Sequence, residues 1–478
     1  MLGWGLFENL FTSVVGLLYI GAVVTTIAVV ILDNRNPVKT LSWVLILAFL
    51  PLVGLVLYFF LGRDKRKEKL ISRKGYQRLT KHPMAEYQQQ HACLQLDNHH
   101  SLMQFFMNVN GSLPFAGNAV EVYDTGYDWV HDLLKVIASA KHHIHIEFYI
   151  YEEDALGRLL RDALIDKAKE GVIVRFIYDD VGSWELSHDF VETMRGEGIE
   201  TRSFLKVRFP QFASHVNYRN HRKIVVVDGR IGFVGGMNVA MRYLKGVPWG
   251  NWRDLHIKVE GKAVYGLQTA FLTDWYAVDR SLITSSSYFP EMPECGNAVM
   301  QIVTSDPIGE WRDIMQGLLI AITNAQKYCF IQTPYLLPTE PILWALKTAA
   351  LAGVDVRIML SARTDSKITH LGSLSYLTEL MEAGVSIYLY EKGFLHSKML
   401  VCDDTLATVG SANMDFRSFE HNFEVNAFMY DYHSALAVKN RFLRDQKDAV
   451  CLSLKTWKRR PWYQKVAESV IRLFAPLL

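Results

Sequence analysis

Cysteine is scarce in this chain, and its placement argues against a disulfide framework. The 478 residues include five cysteines, an odd number, and no two of them form a CxxC pair. They lie far apart, at Cys93, Cys295, Cys329, Cys402 and Cys451. Small secreted domains depend on closely spaced, paired cysteines, whereas isolated thiols suit a reducing compartment. We therefore interpret all five as structural thiols.

The chain also lacks an excess of charge of either sign. It has 51 lysines and arginines against 49 aspartates and glutamates, a formal net charge of +2. Such a balance is not typical of a nucleic-acid-binding protein or of an acidic scaffold, so any basic surface must be local. Half of the residues are hydrophobic and the mean hydropathy is +0.07, which is high for a soluble enzyme.

Two long runs without any charge account for part of this hydropathy. They extend over Leu10–Leu32 and Leu41–Leu61, and each is long enough to cross about 30 Å of hydrocarbon as an α-helix. A short polar turn, Asp33–Thr40, separates them, so the sequence predicts a hairpin of two transmembrane helices. A cleaved signal peptide is the alternative, but no basic segment precedes the first run and a second run follows at once.

The second run has two features that bear on its path. It contains Pro51 and Gly54, which leave open whether it is a kinked span or a shallow re-entrant segment. Basic residues follow it directly, and such flanks favour the cytoplasmic side of a membrane. These residues are Arg63, Lys65, Arg66, Lys67 and Lys69.

The rest of the chain contains one pattern twice. HRKIVVVDGRIGFVGGMN and HSKMLVCDDTLATVGSAN both match HxKxxxxD, and each has an asparagine ten residues after its aspartate. Upstream of each copy, an apolar strand, a helical stretch and a second strand follow in the same order, which predicts an α/β fold made of a duplicated domain. The corresponding residues are His221 and His396, Lys223 and Lys398, Asp228 and Asp403, and Asn238 and Asn413.

This pattern suits phosphoryl transfer. Alternate side chains of an extended strand share a face, so each motif offers an imidazole beside a fixed positive charge. One histidine can attack phosphorus while the other protonates the leaving oxygen, and the lysines and asparagines can neutralise the phosphate. Neither a metal nor another cofactor is expected. The two motif aspartates, each before a glycine or aspartate typical of a hairpin, have the character of turn and orienting residues.

Other histidines admit different interpretations. His143, His145 and Glu147 alternate on one predicted strand and are the main rival as a metal site, although HExxH and CxxC spacings are missing. Isolated histidines in strands are more often buried and hydrogen-bonded than functional. We interpret five histidines in this way: His142, His143, His145, His215 and His421.

The two HxKxxxxD motifs resemble those of the phospholipase D superfamily. Together with NRNPVKTLSWVLILAFLPLVGLVLYFFLG, HIEFYIY, FVGGMN, FLHSK and GSANMDFRS they resemble the bacterial cardiolipin synthases over nearly the whole chain. The resemblance implies two mixed sheets with flanking helices, related by a pseudo-twofold axis and sharing one site. It also implies that two phosphatidylglycerol molecules become cardiolipin and glycerol through a phosphohistidine.

The resemblance further implies roles for single residues. His221 would be the nucleophile and His396 the group that transfers protons. Asp254 and Glu424, which follow the two asparagines by 16 and 11 residues, would orient the histidines. The catalytic part would lie on the cytoplasmic face of the bacterial inner membrane. Its partners would be phosphatidylglycerol and cardiolipin in the bilayer and no nucleic acid, and a homo-oligomer is compatible with the sequence.

Some alternatives stay open at this point. A phospholipase D-type hydrolase is the second interpretation, and a nuclease or a non-catalytic membrane scaffold fits less well. The segment Phe204–Lys223 mixes basic and aromatic residues, as a lipid-facing lip or a solvated loop would. Near the C-terminus, Val466, Val470, Leu473 and Leu477 have helical spacing and predict a helix that lies at the membrane interface or packs on the domain.

The predicted organisation has five parts. They are a transmembrane hairpin over 1–62, a basic linker and connecting segment over 63–118, a first phospholipase D-like half over 119–290, a second half over 291–450, and a basic amphipathic segment over 451–478.

Overall fold

The structure is a computed structural model that describes residues 2–32, 37–58, 98–206 and 218–475. The described residues form two compact units: the N-terminal helices make up one, and the residues from 98 onwards make up the other. The predicted five-part organisation stays a prediction. Most of the predicted lip over Phe204–Lys223 lies outside the described residues, as does His215.

The N-terminal unit consists of the helices α1 (Leu2–Leu32), α2 (Pro37–Phe49) and α3 (Pro51–Leu57). The second apolar run is broken at Leu50, because Pro51 has no N–H to continue α2 and instead starts α3. In the ranges that the structure describes, none of the helices has the length and apolar character that a membrane crossing requires. The two transmembrane helices therefore stay a prediction.

The polar segment predicted as a turn at Asp33–Thr40 is in part helical. Its last four residues already belong to α2, which begins at Pro37, and the preceding four lie outside the described residues. Proline is favoured at the first position of a helix because its fixed φ suits the helix and its missing N–H is not needed there.

The second unit alternates strands and helices along the chain. Its helices are α4 (His100–Asn110), α5 (Gly126–Ser139), α6 (Ala155–Lys169), α7 (His188–Gly196), α8 (Arg242–Lys245), α9 (Val264–Asp279), α10 (Asp313–Asn324), α11 (Glu340–Leu351), α12 (Lys367–Glu382), α13 (Phe416–Glu420), α14 (Tyr432–Gln446), α15 (Leu454–Lys458) and α16 (Trp462–Leu473), with a short 3₁₀ turn at Ser286–Tyr288. Its strands are β1 (Phe115–Tyr123), β2 (His143–Phe148), β3 (Ile173–Asp179), β4 (Glu200–Phe204), β5 (Arg219–Asn220), β6 (Ile224–Val227), β7 (Ile231–Gly235), β8 (Asn251–Arg253), β9 (His256–Glu260), β10 (Ala298–Ser305), β11 (Tyr328–Gln332), β12 (Leu336–Leu337), β13 (Asp355–Ser361), β14 (Ser386–Tyr390), β15 (Gly393–Leu395), β16 (Met399–Cys402), β17 (Leu406–Gly410), β18 (Met414–Asp415), β19 (Asn422–Met429) and β20 (Ala449–Cys451).

The duplication predicted from the sequence is visible in the strand order. The first half runs β1-β9-β7-β6-β2-β3-β4, and the second half repeats it as β10-β19-β17-β16-β11-β13-β14, with β20 at the edge. The prediction of two mixed sheets is wrong in one respect. β1 and β10 pair antiparallel, so the two halves merge into one sheet of sixteen strands. The predicted α/β class, with a mixed sheet and flanking helices, is confirmed.

The core explains why the halves fuse. One apolar cluster contains Ile224 and Leu255 from the first half together with Met399 and Val425 from the second. Two further clusters lie under the outer helices of each half. Because the shared cluster is buried only when both halves are present, burial of apolar surface favours their association.

Candidate active site

Two short strand pairings connect the halves beside the motifs. β5, which precedes His221, pairs in parallel with the start of β19, and the His221 N–H donates to the Phe423 carbonyl at 2.9 Å. In the same way β15, which precedes His396, pairs in parallel with β8, and the His396 N–H donates to the Arg253 carbonyl at 2.7 Å. Each motif histidine is therefore fixed to the segment that carries an acidic residue of the opposite half.

The acidic residues predicted to orient the histidines contact them crosswise. His221 Nδ1 lies 3.0 Å from both carboxylate oxygens of Glu424, and His396 Nδ1 lies 2.7 Å from Asp254 Oδ2. A carboxylate can only accept, so the hydrogen of a neutral His221 sits on Nδ1 and Nε2 keeps its lone pair. All four side chains are buried.

The lysines of both motifs lie in the same site. Lys223 Nζ donates to the His221 carbonyl, and Lys398 Nζ donates to the His396 carbonyl and lies 2.8 Å from His396 Nδ1. Burial lowers the pKa of Lys398 to about 8, against the opposing pull of Asp254 and Glu424. Burial also lowers the pKa of Lys223 well below its ordinary value, and the nearby Lys398 adds to this effect. The two motifs therefore converge, as predicted.

The two histidine–carboxylate pairs differ electrostatically. Burial lowers the pKa of His221 to about 4, and although burial opposes it, the adjacent His221 holds the pKa of Glu424 below its ordinary value. This pair therefore consists of a neutral imidazole and a carboxylate. Burial raises the pKa of Asp254, whereas burial and Lys398 lower that of His396. A proton is thus held more readily on the carboxyl beside His396 than on Glu424.

The aromatic surroundings of the two histidines also differ. The ring of Tyr149 lies 4.9 Å from that of His221, and the Lys223 ammonium is 5.3 Å from the centre of the same tyrosine ring. His396 instead lies beside Trp252 and Phe394, at 5.2 and 5.5 Å. Apolar walls of this kind exclude water and strengthen the charge interactions within the site.

Both asparagines predicted to bind phosphate make hydrogen bonds to other groups of the protein. Asn238 Oδ1 accepts from the Ile150 N–H at 3.0 Å, and its Nδ2 donates to the Tyr243 hydroxyl at 2.7 Å. Asn413 Nδ2 donates to Asp415 at 3.0 Å. An amide nitrogen carries two hydrogens, so each asparagine has one donor besides these bonds. Phosphate binding by Asn238 and Asn413 stays a prediction.

The small residues after each motif contact the carboxylates that are paired with the histidines. A Cβ on Gly236 would overlap the carboxylate of Asp254, so glycine is required there for Asp254 to reach His396. The equivalent position holds Ser411, whose hydroxyl donates to Glu424. Both small residues therefore contact the carboxylate that is paired with a motif histidine.

Both motif aspartates lie at the far end of the motif strands. Asp228 is five residues beyond Lys223, or about 16 Å along an extended chain. Its carboxylate accepts the N–H groups of Lys141, His142 and His143 at 2.8 to 3.0 Å. Asp403 accepts three backbone N–H groups in the same way, from Gln326 to Tyr328 at 2.7 to 2.9 Å. These contacts support a structural role in the turn more than a catalytic one.

Two buried ion pairs beside the site were not predicted from the sequence. Arg222 donates to the Glu424 carbonyl at 3.1 Å and pairs with Asp274 of α9. Arg253, on the other side, donates to the Asp254 carbonyl at 3.1 Å and to Asp445 of α14 at 2.9 Å. Each arginine thus holds the backbone of one orienting acid. A similar spacing in the two halves could have indicated the two helix aspartates, since they follow Asp254 and Glu424 by 20 and 21 residues.

The two ion pairs have different neighbours on the sheet. Gln332 of β11 donates its amide to Asp445 at 2.9 Å, whereas the equivalent residue on β2 is Glu147. Burial and the adjacent Asp274 raise the pKa of Glu147 well above its ordinary value. Among the described residues, Glu147 Oε2 and Asp274 Oδ1 are buried without a partner if both groups are carboxylates. A proton on Glu147 would let it donate to Asp274, as the amide of Gln332 donates to Asp445.

The histidines considered for a metal site face a different part of the core. His143 Nε2 lies 2.9 Å from Gln268 Oε1, and His145 Nδ1 lies 2.7 Å from Gln268 Nε2. The residues described by the structure contain no group of three or more histidine, cysteine, aspartate or glutamate side chains arranged to hold a metal ion. Both histidines are buried, as predicted, but His142 is exposed, and its interpretation as a core residue is wrong because β2 begins one residue later.

Comparisons with known proteins agree with this geometry. A family model described as "Cardiolipin synthase, PLD-like domain" matches residues 133–275 and 318–446, and one described as "Phospholipase_D-nuclease N-terminal" matches residues 17–63. A cardiolipin synthase of Geobacillus sp. (strain WCH70) is 42% identical over 94% of this chain and 91% of its own length. The major cardiolipin synthase of Bacillus subtilis (strain 168) is 39% identical over 97% of this chain and 98% of its own length.

A solved structure supports the fold. The phosphatidylserine synthase of Haemophilus influenzae Rd KW20 aligns with a TM-score of 0.59 over 79% of this chain and 98% of its own length. Its sequence identity is 14%, so the likeness concerns the fold alone.

Proposed function

The chain belongs to the cardiolipin synthase family of phospholipase D-like enzymes, and from this premise we propose that it transfers a phosphatidyl group from one phosphatidylglycerol to another and releases glycerol. The crosswise pairing of His221 with Glu424 and of His396 with Asp254 carries the proposal. Each histidine depends on the other half for its carboxylate, so the two motifs form a single site with two differently tuned imidazoles.

In the first half-reaction, His221 Nε2 attacks the phosphorus of one phosphatidylglycerol. The bond between phosphorus and the glycerol headgroup oxygen breaks, and His396 gives that oxygen its proton, so that glycerol leaves. His221 then carries the phosphatidyl group. The imidazole becomes positively charged, and the ionised Glu424 beside Nδ1 stabilises it.

In the second half-reaction, a glycerol hydroxyl of another phosphatidylglycerol takes the place of the departed glycerol. His396 removes its proton, the oxygen attacks phosphorus, and the bond between phosphorus and His221 breaks to release cardiolipin. The raised pKa of Asp254, which burial causes, helps this pair to retain the proton between the two steps. An anionic phosphodiester in the site also favours the protonated form of His396.

Charge on the non-bridging phosphate oxygens needs donors that are already in place. Lys223 and Lys398 lie within the site, and each has ammonium hydrogens beyond the bond to a histidine carbonyl. Asn238 and Asn413 each have a further amide hydrogen for the same purpose. The resulting neutralisation requires no metal ion, so we expect a chelator to leave the activity unchanged.

The N-terminal unit would keep the enzyme in the bilayer that holds its substrates. The two uncharged runs and the match of residues 17–63 to the N-terminal family model support a membrane-integral hairpin in the bacterial inner membrane. The basic residues after the second run favour a catalytic unit on the cytoplasmic face.

The direct test is incubation of the purified chain with phosphatidylglycerol alone, followed by lipid analysis. Cardiolipin and free glycerol should appear in equal amounts, whereas phosphatidic acid as the main product would identify a hydrolase.

Either His221→Ala or His396→Ala should lower the rate by about 10²–10⁴-fold, since neither imidazole can perform both roles. His188→Ala is the matched control, because His188 is an exposed helix residue of the same unit.

The assignment of roles has its own test. His396→Asn should release glycerol slowly and accumulate the intermediate, since attack survives while the proton donor is lost. Rapid quenching with lipid labelled in the phosphatidyl group, followed by peptide mapping, should place the label on the peptide that contains His221. Label on the peptide that contains His396 in the unmodified enzyme would reverse the roles.

A further inference from the structure

The helix α16 exposes a stripe of large apolar side chains. Trp462, Val466, Val470 and Leu473 are spaced at four, four and three residues, so they share one helix face. All four are exposed, Trp462 by 75% and Leu473 by 78%. The prediction of a helix here is confirmed, and its apolar stripe is not used for packing on the domain.

The side of α16 that meets the protein carries charged side chains beside the half-buried Ile471. Glu468 is the buried residue of the helix, at 4% exposure, and it pairs with Arg460 at 3.0 Å. Arg472 attaches α16 to α12 by an ion pair of 2.7 Å with Glu379 and by lying 4.1 Å from the centre of the Tyr376 ring. A surface helix of a soluble protein usually faces its core with its apolar stripe. The reverse orientation leaves an apolar stripe that is fixed in place and unpartnered among the described residues.

The surroundings of the stripe are basic and aromatic. Lys455, Arg459 and Lys465 are exposed around the start of α16, and Tyr463 stands exposed beside Trp462. Tryptophan and tyrosine favour the interface between lipid and water, and lysine and arginine near it attract anionic headgroups. The charge of this surface is therefore complementary to an anionic membrane.

We propose that α16 is a docking surface for an anionic lipid bilayer, with Trp462, Val466, Val470 and Leu473 inserted among the headgroups and the neighbouring basic residues bound to lipid phosphates. The proposal rests on the proposed function in one respect, namely that the substrates are anionic lipids of such a bilayer. It adds a membrane contact made by the catalytic unit itself. A second copy of the chain is the competing occupant.

The test compares two cysteine variants of the full chain, Leu473→Cys on the stripe and Gln464→Cys on the opposite side of the same helix. Each is reconstituted in vesicles of phosphatidylcholine with phosphatidylglycerol or of phosphatidylcholine alone, and treated with a charged maleimide. Mass spectrometry of the peptide that contains each position measures its alkylation, so other cysteines do not interfere. Position 464 is exposed and reports how accessible the helix is to the reagent.

With phosphatidylglycerol present, alkylation at position 473 should slow by about fivefold relative to position 464, because insertion removes the stripe from water. The protection should be weaker in phosphatidylcholine alone. An equal ratio of the two rates in both vesicle types would overturn the proposal. Protection that follows the density of protein instead of the content of anionic lipid would also overturn it, in favour of a second copy.

Cardiolipin formation in the same vesicles separates this proposal from the proposed function. If the chain makes cardiolipin but position 473 is not protected, the docking proposal is contradicted and the proposed function is not. A chain that is protected but makes no cardiolipin keeps the docking surface and contradicts the proposed function.

Discussion

At the scale of single residues, the site depends on groups whose protonation differs between equivalent positions. His221 and His396 have the same sequence context, yet one pairs with a glutamate that stays ionised and the other with an aspartate that binds a proton more readily. Burial raises the pKa of both acids and nearby lysines lower it in both, whereas the adjacent His221 and the Ser411 hydroxyl lower that of Glu424 in addition. The proposed chemistry requires such a difference, because a nucleophile must be neutral while an acid must hold a proton. The twin motif therefore does not make the two halves chemically equivalent.

Glu147 provides a residue-scale prediction. If it is protonated, Glu147→Gln keeps both of its contacts, with Asn220 and with Asp274, and activity should stay within about twofold. The folded protein then holds a proton that the unfolded chain releases above the ordinary value of 4.5. Stability of the unmodified chain should therefore fall, relative to the variant, as the pH rises above that value.

Denaturant unfolding of both proteins between acid and neutral pH measures this effect. Gln332→Glu is the matched change in the other half and should introduce a similar pH dependence beside Asp445. If the free energies of unfolding of Glu147→Gln and of the unmodified chain changed with pH in the same way, Glu147 would be ionised in the folded protein.

Sequence reasoning reached the site residues because chemistry restricts them to a repeated spacing. The two histidines, the two lysines and both orienting acids meet in one site as expected. The crosswise choice of partner could not be predicted, since it follows from the parallel pairing of β5 with β19 and of β8 with β15, which joins residues more than 100 positions apart. Asp274 and Asp445 could have been found only from their similar spacing after the two acids, because a lone aspartate in a helix carries no motif.

At the scale of elements, the motif strands end in tight turns that the sequence indicated. Asp228 and Gly229 have φ of 54° and 65°, and the Arg230 N–H closes the turn on the Val227 carbonyl at 3.0 Å. Asp403 and Asp404 adopt the same conformation at 55° and 58°. Both central residues of such a turn need positive φ, which aspartate tolerates better than most residues. In contrast, no local sequence pattern predicts that β1 and β10 pair and join the two halves into one sheet.

These turns allow a prediction that separates structure from catalysis. Asp228→Asn replaces a carboxylate that accepts three backbone N–H groups by an amide that places a donor near one of them. Stability should fall by about 1–3 kcal/mol, while the turnover number measured below the unfolding transition stays nearly unchanged. Asp403→Asn should behave alike, and Asp162→Asn, at an exposed helix position, should change neither quantity.

Thermal unfolding and initial rates, measured on the same preparations, distinguish a structural role of Asp228 from a catalytic one. A turnover number about a hundredfold lower with an unaltered unfolding transition would show that Asp228 takes part in the chemistry, as general acid–base losses of that size do.

At the scale of the whole molecule, the pseudo-twofold arrangement has an energetic basis. The shared apolar cluster, the pairing of β1 with β10 and the two crosswise strand pairings all need both halves of the sheet. The histidine–carboxylate pairs lie inside this shared region, so the site exists only where the halves meet. Duplication thus supplied two imidazoles, and fusion of the sheets placed them in different surroundings.

The last prediction tests whether that shared region lies within one chain. Full-length His221→Ala and His396→Ala, reconstituted together in the same vesicles, should show no more activity than either variant alone. Each chain pairs its own halves, and an exchange of halves between chains would first have to expose the shared apolar cluster to water, which burial of that surface disfavours. Lipid analysis of the mixture measures the outcome, with an equal mixture of unmodified chain and His221→Ala as the reference for half of the full rate. Activity that recovers in the mixed variants would show that halves of different chains combine, and the site would then belong to an oligomer instead of a single chain.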